Sequence, residues 1–158
     1  MPDTSSGKQL ERYIADYLVN RNFTEITFTE FQATKNKNNT LVSNIPYISI
    51  YGSKCRTEFL LCFDNREIRI ECKWQGVSGS VDEKFPYLYH NAAEIWEQDE
   101  IIIVLDGKGY KPKAFEWIKT AAENKKYIDP KSNKVIKVFT ILEFLNWVDD
   151  GMKHLSLS

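Results

Sequence analysis

Glu58 and Glu71-Cys72-Lys73 are the side chains of this sequence whose types and spacing could do chemistry. Thr57–Phe63 is β-branched, aromatic or long and apolar, and Glu67–Gln75 alternates polar with apolar residues. Both read as strands. Asp64-Asn65 between them is turn chemistry. A tight turn there sets Glu58 opposite Glu71, with Cβ atoms roughly 4.5–5.5 Å apart. Like charges so close are unfavourable unless a proton or cation intervenes. Lys73 shares the face of Glu71, one pleat along. Two acids and a lysine at one point suit a hard divalent cation and the hydrolysis of a phosphodiester, where charge develops on phosphate oxygens. The competing reading is a charged solvent face on an edge hairpin.

An acid, any residue, then lysine is a weak pattern. It also occurs at Asp82/Lys84, Asp106/Lys108, Glu123/Lys125 and Asp129/Lys131. Only Glu71/Lys73 lies in an alternating strand with another acid on the strand before it. Glu58 followed by Glu71-Cys72-Lys73 resembles the PD-(D/E)XK nuclease superfamily, which includes many type II restriction enzymes and archaeal-type junction resolvases. The first acid of that pattern is usually Asp after Pro; here Thr57-Glu58 stands in its place.

The resemblance implies an α/β fold: a restriction-endonuclease-like αβββαβ core on a mixed sheet, with a short C-terminal βα addition. It implies a metal-dependent DNA endonuclease. Glu58, Glu71 and the Cys72 backbone carbonyl would hold Mg2+ or Mn2+, and Lys73 would position water or stabilise the transition state. Glu11, on the first helix, and Gln75, which resembles a glutamine of some members, would contribute further. Cutting both strands needs two sites, so a homodimer is expected. The alternatives are a junction-resolvase-like, structure-specific nuclease and a catalytically silent DNA-binding module on the same fold.

Composition bounds these readings. The chain has 158 residues, with a formal net charge of −1, 42% hydrophobic and 27% charged residues. That is enough for one globular domain, expected over 1–150 with a flexible tail at 151–158. A charge near zero gives no whole-protein signature of a nucleic-acid partner, though a local basic face would not show in the sum. Three cysteines with no C-x-x-C pair read as reduced thiols, and no signal peptide or long apolar run is present, so a cytoplasmic protein without a membrane span is expected. The two histidines, His90 and His154, lie far apart and do not suggest zinc.

The positioning elements follow in chain order. Ser6-Gly7-Lys8-Gln9 has the form of a capping box, and Leu10, Ile14, Tyr17 and Leu18 then fall at helical spacing. Glu11 flanks that stripe. Thr24–Phe31 alternates as a strand. Gln32–Arg56, rich in asparagine, lysine and tyrosine, reads as one long loop. There Lys35, Lys37, Lys54 and Arg56 are candidates for DNA contact. Gly76–Lys84 is a second candidate loop, with Ser78, Ser80 and Lys84. A helix over Pro86–Trp96 leads to Glu100–Leu105, a continuous apolar run that predicts a buried parallel strand. Asp106–Pro112 is a turn carrying Lys108 and Lys111, with Lys113 beyond. It lacks the Gly-Lys-Ser/Thr ending of a phosphate loop, so no nucleotide cofactor is expected. Lys113–Asn124 as helix, Val135–Phe139 as strand and Ile141–Val148 as helix complete the order.

Overall fold

The computed structural model describes residues 6–157. The start of the expected domain and Ser158 of the expected tail therefore lie outside the described residues. The fold is mixed α/β. Helix α1 (Gly7–Val19) is followed by β1 (Thr24–Thr27), α2 (Phe28–Ala33), β2 (Thr40–Ile48), β3 (Lys54–Phe63) and β4 (Arg66–Trp74). Then come α3 (Phe85–Glu94), β5 (Glu100–Asp106), α4 (Pro112–Glu123), β6 (Val135–Thr140) and α5 (Ile141–Asp149). The six strands form one sheet in sequential order. β2, β3 and β4 are antiparallel, while β1 on β2, β5 on β4 and β6 on β5 are parallel. The expected αβββαβ core is α1, β2, β3, β4, α3 and β5. A strand and a short helix, β1 and α2, are inserted into it, and α4, β6 and α5 follow.

Both faces of the sheet are covered. Leu10, Ile14 and Leu18 of α1 and Phe144, Leu145 and Val148 of α5 bury one face against Ile68, Ile70, Ile102 and Val104. The other face packs Leu88, Tyr89 and Ala92 of α3 and Ile118 and Ala121 of α4 against Ile101, Ile103 and Leu105. β5 is therefore apolar from Ile101 to Leu105, as the middle of a parallel strand between two helical layers must be.

Three expectations are corrected. Residues 24–31 are not one strand: Thr27 accepts from the Glu30 N–H at 3.1 Å and Glu30 returns the bond, a capping box that ends β1 and starts α2. Residues 32–56 are not one loop, because β2 and the start of β3 lie within them. Two features hid β2: Asn44, at φ 59°, breaks its alternation, and Pro46 cannot donate to a ladder. Pro46 is tolerated because β1 reaches only to Ser43, so β2 has no neighbour on that side beyond it. Finally, the described tail is docked rather than frayed. Leu155 is fully buried, its N–H donates to Glu100 at 2.9 Å, and Trp147 Nε1 donates to the Lys153 carbonyl. No helix among the described residues is long and apolar enough to cross a membrane.

Candidate active site

The β3–β4 hairpin turns at Asp64 and Asn65, with φ 52° and 57°, the left-handed pair that a two-residue turn requires. Phe63 pairs with Arg66, and the ladder runs to Phe59 opposite Ile70. There it stops. β3 continues beside β2 as far as Lys54 opposite Ile48, and β4 continues beside β5 as far as Trp74 opposite Asp106. The sheet thus forks into two limbs, and Glu58 and Glu71, next in register, stand at the base of the fork.

Asn44 explains the fork locally. Val42 and Ile45, three residues apart, pack in the same apolar cluster, so the faces of β2 slip by one position across Asn44. Glu58 is the β3 residue between the pairs Ser43–Phe59 and Thr57–Ile45, beside that slip. The side chain is thereby freed from either packed face. It borders a cavity of about 250 Å³ that Lys8, Glu11, Arg12 and Asn44 also line.

The hairpin is not a charged surface. It occupies the middle of the sheet, and Arg69 and Glu71 are each only 3% exposed. The reading as a solvent face is overturned because α3 and α4 cover the face that the alternation left polar. Arg69 is the brace of the fork, and its type and spacing had not marked it out. Its Nε donates to Thr57 Oγ1 at 2.9 Å and its terminal nitrogens to the Ile45 and Pro46 carbonyls at 3.2 and 3.3 Å and to Gln98 Oε1 at 3.1 Å. The guanidinium lies 5.3 Å from both the Tyr47 and the Trp96 ring centroids. Its pKa is lowered to about 10 by burial, offset in part by Tyr47 and Glu71. A periodicity argument sees a polar residue at position 69; it cannot see the helix laid over it.

At the base of the fork the acids are pressed together. The Glu58 carboxyl lies within hydrogen-bonding reach of the Glu11 and Glu71 carboxyls. Burial first, then the charge of Glu71 and the bond to Glu11, push the Glu58 carboxyl up to about 8. Burial also raises Glu71, against the pull of Lys73, the Cys72 N–H and Glu58. The Cys72 N–H donates to Glu71 Oε1 at 3.2 Å, and Lys73 Nζ stands 3.6 Å from Glu71 Oε2. The Cys72 thiol is held protonated by burial and by the neighbouring carboxylates. Carboxyl groups so arranged can share a proton or a cation. Among the described residues, no group of three or more His, Cys, Asp and Glu side chains is arranged to hold a metal ion.

Gln75 is engaged elsewhere. Its Nε2 donates to the Gly109 carbonyl at 2.7 Å, and its Oε1 accepts from the Val81 and Asp82 N–H groups at 2.8 and 3.2 Å. It fastens the loop after β4 to the loop after β5. Gly107 lies against that junction at φ 100°, where a Cβ would run into the Gln75 carbonyl. Asp82 Oδ2 accepts from the Lys111 N–H at 3.0 Å, a further tie.

The basic candidates fall into three places. Lys84, Lys108 and Lys111 are exposed on the two loops that Gln75 joins, together with Ser78 and Ser80, at the end of the β4 limb. Lys54 and Arg56 are exposed on the β3 limb, four and two residues from Glu58 and on its side of the strand. Lys35 and Lys37 lie at the other end of β2; Lys37 sits 4.8 Å over the Phe31 ring. Eight residues of strand, roughly 27 Å, separate that end from Lys54, so these four do not form one patch. A larger cavity of about 960 Å³ lies elsewhere, between Trp74, Tyr110, Phe115 and Ile141, and neither Glu58 nor Glu71 lines it.

A solved structure, protein VC1899 from Vibrio cholerae, is similar at 14% sequence identity with a TM-score of 0.43, over 91% of this chain. The similarity spans only 31% of that protein. No curated protein matches the sequence. A family model, described as a PD-(D/E)XK nuclease superfamily domain, matches residues 3–152. A forked mixed sheet with Glu58 and Glu71-Cys72-Lys73 at the fork is thus joined by a sequence match over nearly the whole chain: the protein belongs to the PD-(D/E)XK nuclease superfamily.

Proposed function

We propose that this protein is a metal-dependent DNA endonuclease that hydrolyses phosphodiester bonds at the base of the fork. The observation that carries the reading is the buried contact between Glu58 and Glu71 with Lys73 alongside. Two acids pressed together, Glu71 buried and Glu58 partly so, are unfavourable in themselves, and a divalent cation relieves them. The donor set fits a hard cation: two carboxylates and, at the open edge of β4, the Cys72 carbonyl. That carbonyl faces the edge vacated by β3, because a strand residue presents N–H and C=O at the same edge and the Cys72 N–H meets the Glu71 side chain there. Mg2+ or Mn2+ bound there would supply Lewis-acid polarisation of the phosphate and a more acidic water.

The protein's own groups do the rest. Glu58 and Glu71 would hold the cation in place of the shared proton. Lys73 holds the attacking water or offsets the charge that grows on the phosphate oxygens. Glu11, which stands against Glu58, would help to orient that carboxyl. Gln75 acts as a positioning residue, since its bonds hold the two loops beside Lys73. Lys54 and Arg56 on one limb and Lys84, Lys108 and Lys111 on the other carry phosphate contacts, with Ser78 and Ser80; Lys35 and Lys37 form a separate contact at the far end. A homodimer would supply the second site where both strands are cut.

Plasmid cleavage with Mg2+, Mn2+ or EDTA tests this reading. Metal-dependent nicking by the wild type, absent in Glu71→Gln, is expected; nicking that persists in Glu71→Gln would end the assignment. DNA retention without cleavage at any metal would favour the silent binding module instead.

A further inference from the structure

The tip of the β2–β3 limb carries an exposed aromatic surface. Tyr51 stacks on Tyr87 of α3 with ring centroids 4.9 Å apart and planes 22° apart, yet Tyr51 remains 77% exposed. One face of its ring is covered and the other looks outward. The turn that holds it is pinned. Ser49 N–H donates to the Ser53 carbonyl at 2.9 Å, Gly52 N–H to the Ser49 carbonyl at 2.8 Å, and Ser49 Oγ accepts from the Tyr51 and Ser53 N–H groups, both at 3.2 Å. The Ile50 N–H reaches across to Asn91 Oδ1 at 2.8 Å, tying the turn to α3. A large ring is therefore held in one place with its outer face to water. Burial does not explain it, because little of the ring is buried.

The surroundings narrow what could lie on it. Lys54 and Arg56, both exposed, follow on the same limb and lead along β3 toward Glu58. Tyr47, in contact with Cys55 and Trp96, has its phenol pushed up by burial and then by Cys55, Glu71 and Tyr87. An outward aromatic face followed by two cations suits a planar base attached to a phosphate chain. A base inside a duplex already has both faces occupied by its neighbours. Only an unpaired base has a face to offer.

We propose that Tyr51, backed by Tyr87, is a stacking platform for an unpaired nucleobase of the substrate, so that the preferred substrate carries a single-stranded segment next to the cut. The inference rests on the nuclease reading above. The platform lies some way along the limb from Glu58, at least the roughly 13 Å of strand from Lys54 to Glu58. The stacked base is therefore a flanking one, not the base at the reacting phosphate. Lys54 and Arg56 contact the phosphates between.

The test uses Lys73→Ala as the background, so that bound DNA stays intact. The probe is a single-stranded oligonucleotide with 2-aminopurine at successive positions, and the same sequence annealed as a blunt duplex. Stacking on Tyr51 quenches 2-aminopurine at one or two positions of the single strand. Adding Tyr51→Ala should remove that quench and weaken single-strand binding roughly 5- to 150-fold, with a loss on the duplex at least fivefold smaller. Tyr51→Trp should restore the quench. Equal loss on both forms, or no loss on the single strand, overturns the platform. Plasmid cleavage by the wild type together with an unchanged 2-aminopurine signal overturns the platform alone and leaves the nuclease reading standing. Failure to bind either form overturns both.

Discussion

Two glutamates of adjacent strands are equally hidden, and their surroundings are opposite. Glu71 on β4 and Glu100 on β5 are each 3% exposed. Glu100 accepts two hydrogen bonds from Arg66, at 2.8 and 2.7 Å, and a third from the Leu155 N–H at 2.9 Å. Burial alone would raise its pKa; Arg66, the Leu155 N–H and His154 outweigh burial and hold it below the usual carboxylate value. Glu71 has one N–H, a lysine 3.6 Å away and two further acids, and its pKa is raised. Glu100 is a finished structural contact: it fastens the hairpin turn and the C-terminal segment to β5. Glu71 is left incomplete inside the protein, and an incomplete buried acid invites a ligand. What separates the two roles is the compensation around each carboxylate, not residue type or burial.

The largest expected effect falls on the incomplete side. Lys73→Ala should lower single-turnover cleavage by ~10²–10³-fold if, as proposed, it removes a cation from the point where charge develops. The same change should move the urea midpoint little, because Lys73 is partly exposed and its contact with Glu71 is a loose 3.6 Å. Cleavage within a few-fold of wild type would remove Lys73 from the mechanism.

The mirror-image change falls on the finished side. Arg66→Ala leaves Glu100 buried without its main partner and should cost roughly 3 kcal/mol of stability, read from urea unfolding. It should also release the C-terminal segment, read as faster amide exchange at Leu155. Glu71→Gln, by contrast, should leave the metal-free protein as stable as wild type or slightly more so. Equal losses for both variants would erase the distinction between the two sites.

A metal titration sharpens the same contrast. Mg2+ or Mn2+ should raise the melting temperature by binding the folded state. Glu58→Gln and Glu71→Gln should each remove most of that rise, and the double variant should lose little more, because ligands of one site are not additive. Losses that simply add would mean two separate sites. Arg66→Ala should keep the full metal response.

The last contrast is a difference in the sign of pH dependence. Glu58 titrates near 8 when folded against an ordinary 4.5. The folded state then holds the proton more tightly than the unfolded chain, so its contribution to stability is full below about 4.5 and is lost as the pH rises toward 8. Glu100, held below 4.5, contributes above that value and loses its contribution as the pH falls through its lowered pKa. Metal-free Glu58→Gln should therefore flatten the alkaline side of the stability curve, and Glu100→Gln the acid side. A flattening on the opposite sides would contradict both assignments.

The local signals in the sequence were reliable where one residue type has one physical consequence. Asp64-Asn65 specified the turn, and the turn specified that Glu58 would follow Phe59 in register against Glu71. The unbroken apolar run of β5 announced a strand between two layers, and the crossover made it parallel. Helices α1, α4 and α5 were legible from their stripes to within a few residues of their ends. Elements failed where a backbone conformation depends on neighbours: β2 carries Asn44 in a left-handed conformation and Pro46 without a donor, and it is a strand because β3 pairs with it.

The candidate site divides the same way. The sequence by itself determined the chemistry on offer: Glu58 and Glu71 on paired strands, Lys73 on the face of Glu71, and Glu11 on a helix. Only the tertiary structure decided that this face would be buried, that the sheet would part at Phe59 and Ile70, and that Arg69 would brace the opening. It also engaged Gln75 in joining two loops and carried Lys35 and Lys37 away from Lys54 and Arg56. Periodicity reports which way a side chain points from its own strand. What covers it, and therefore how strongly it holds a proton or a cation, depends on helices tens of residues away.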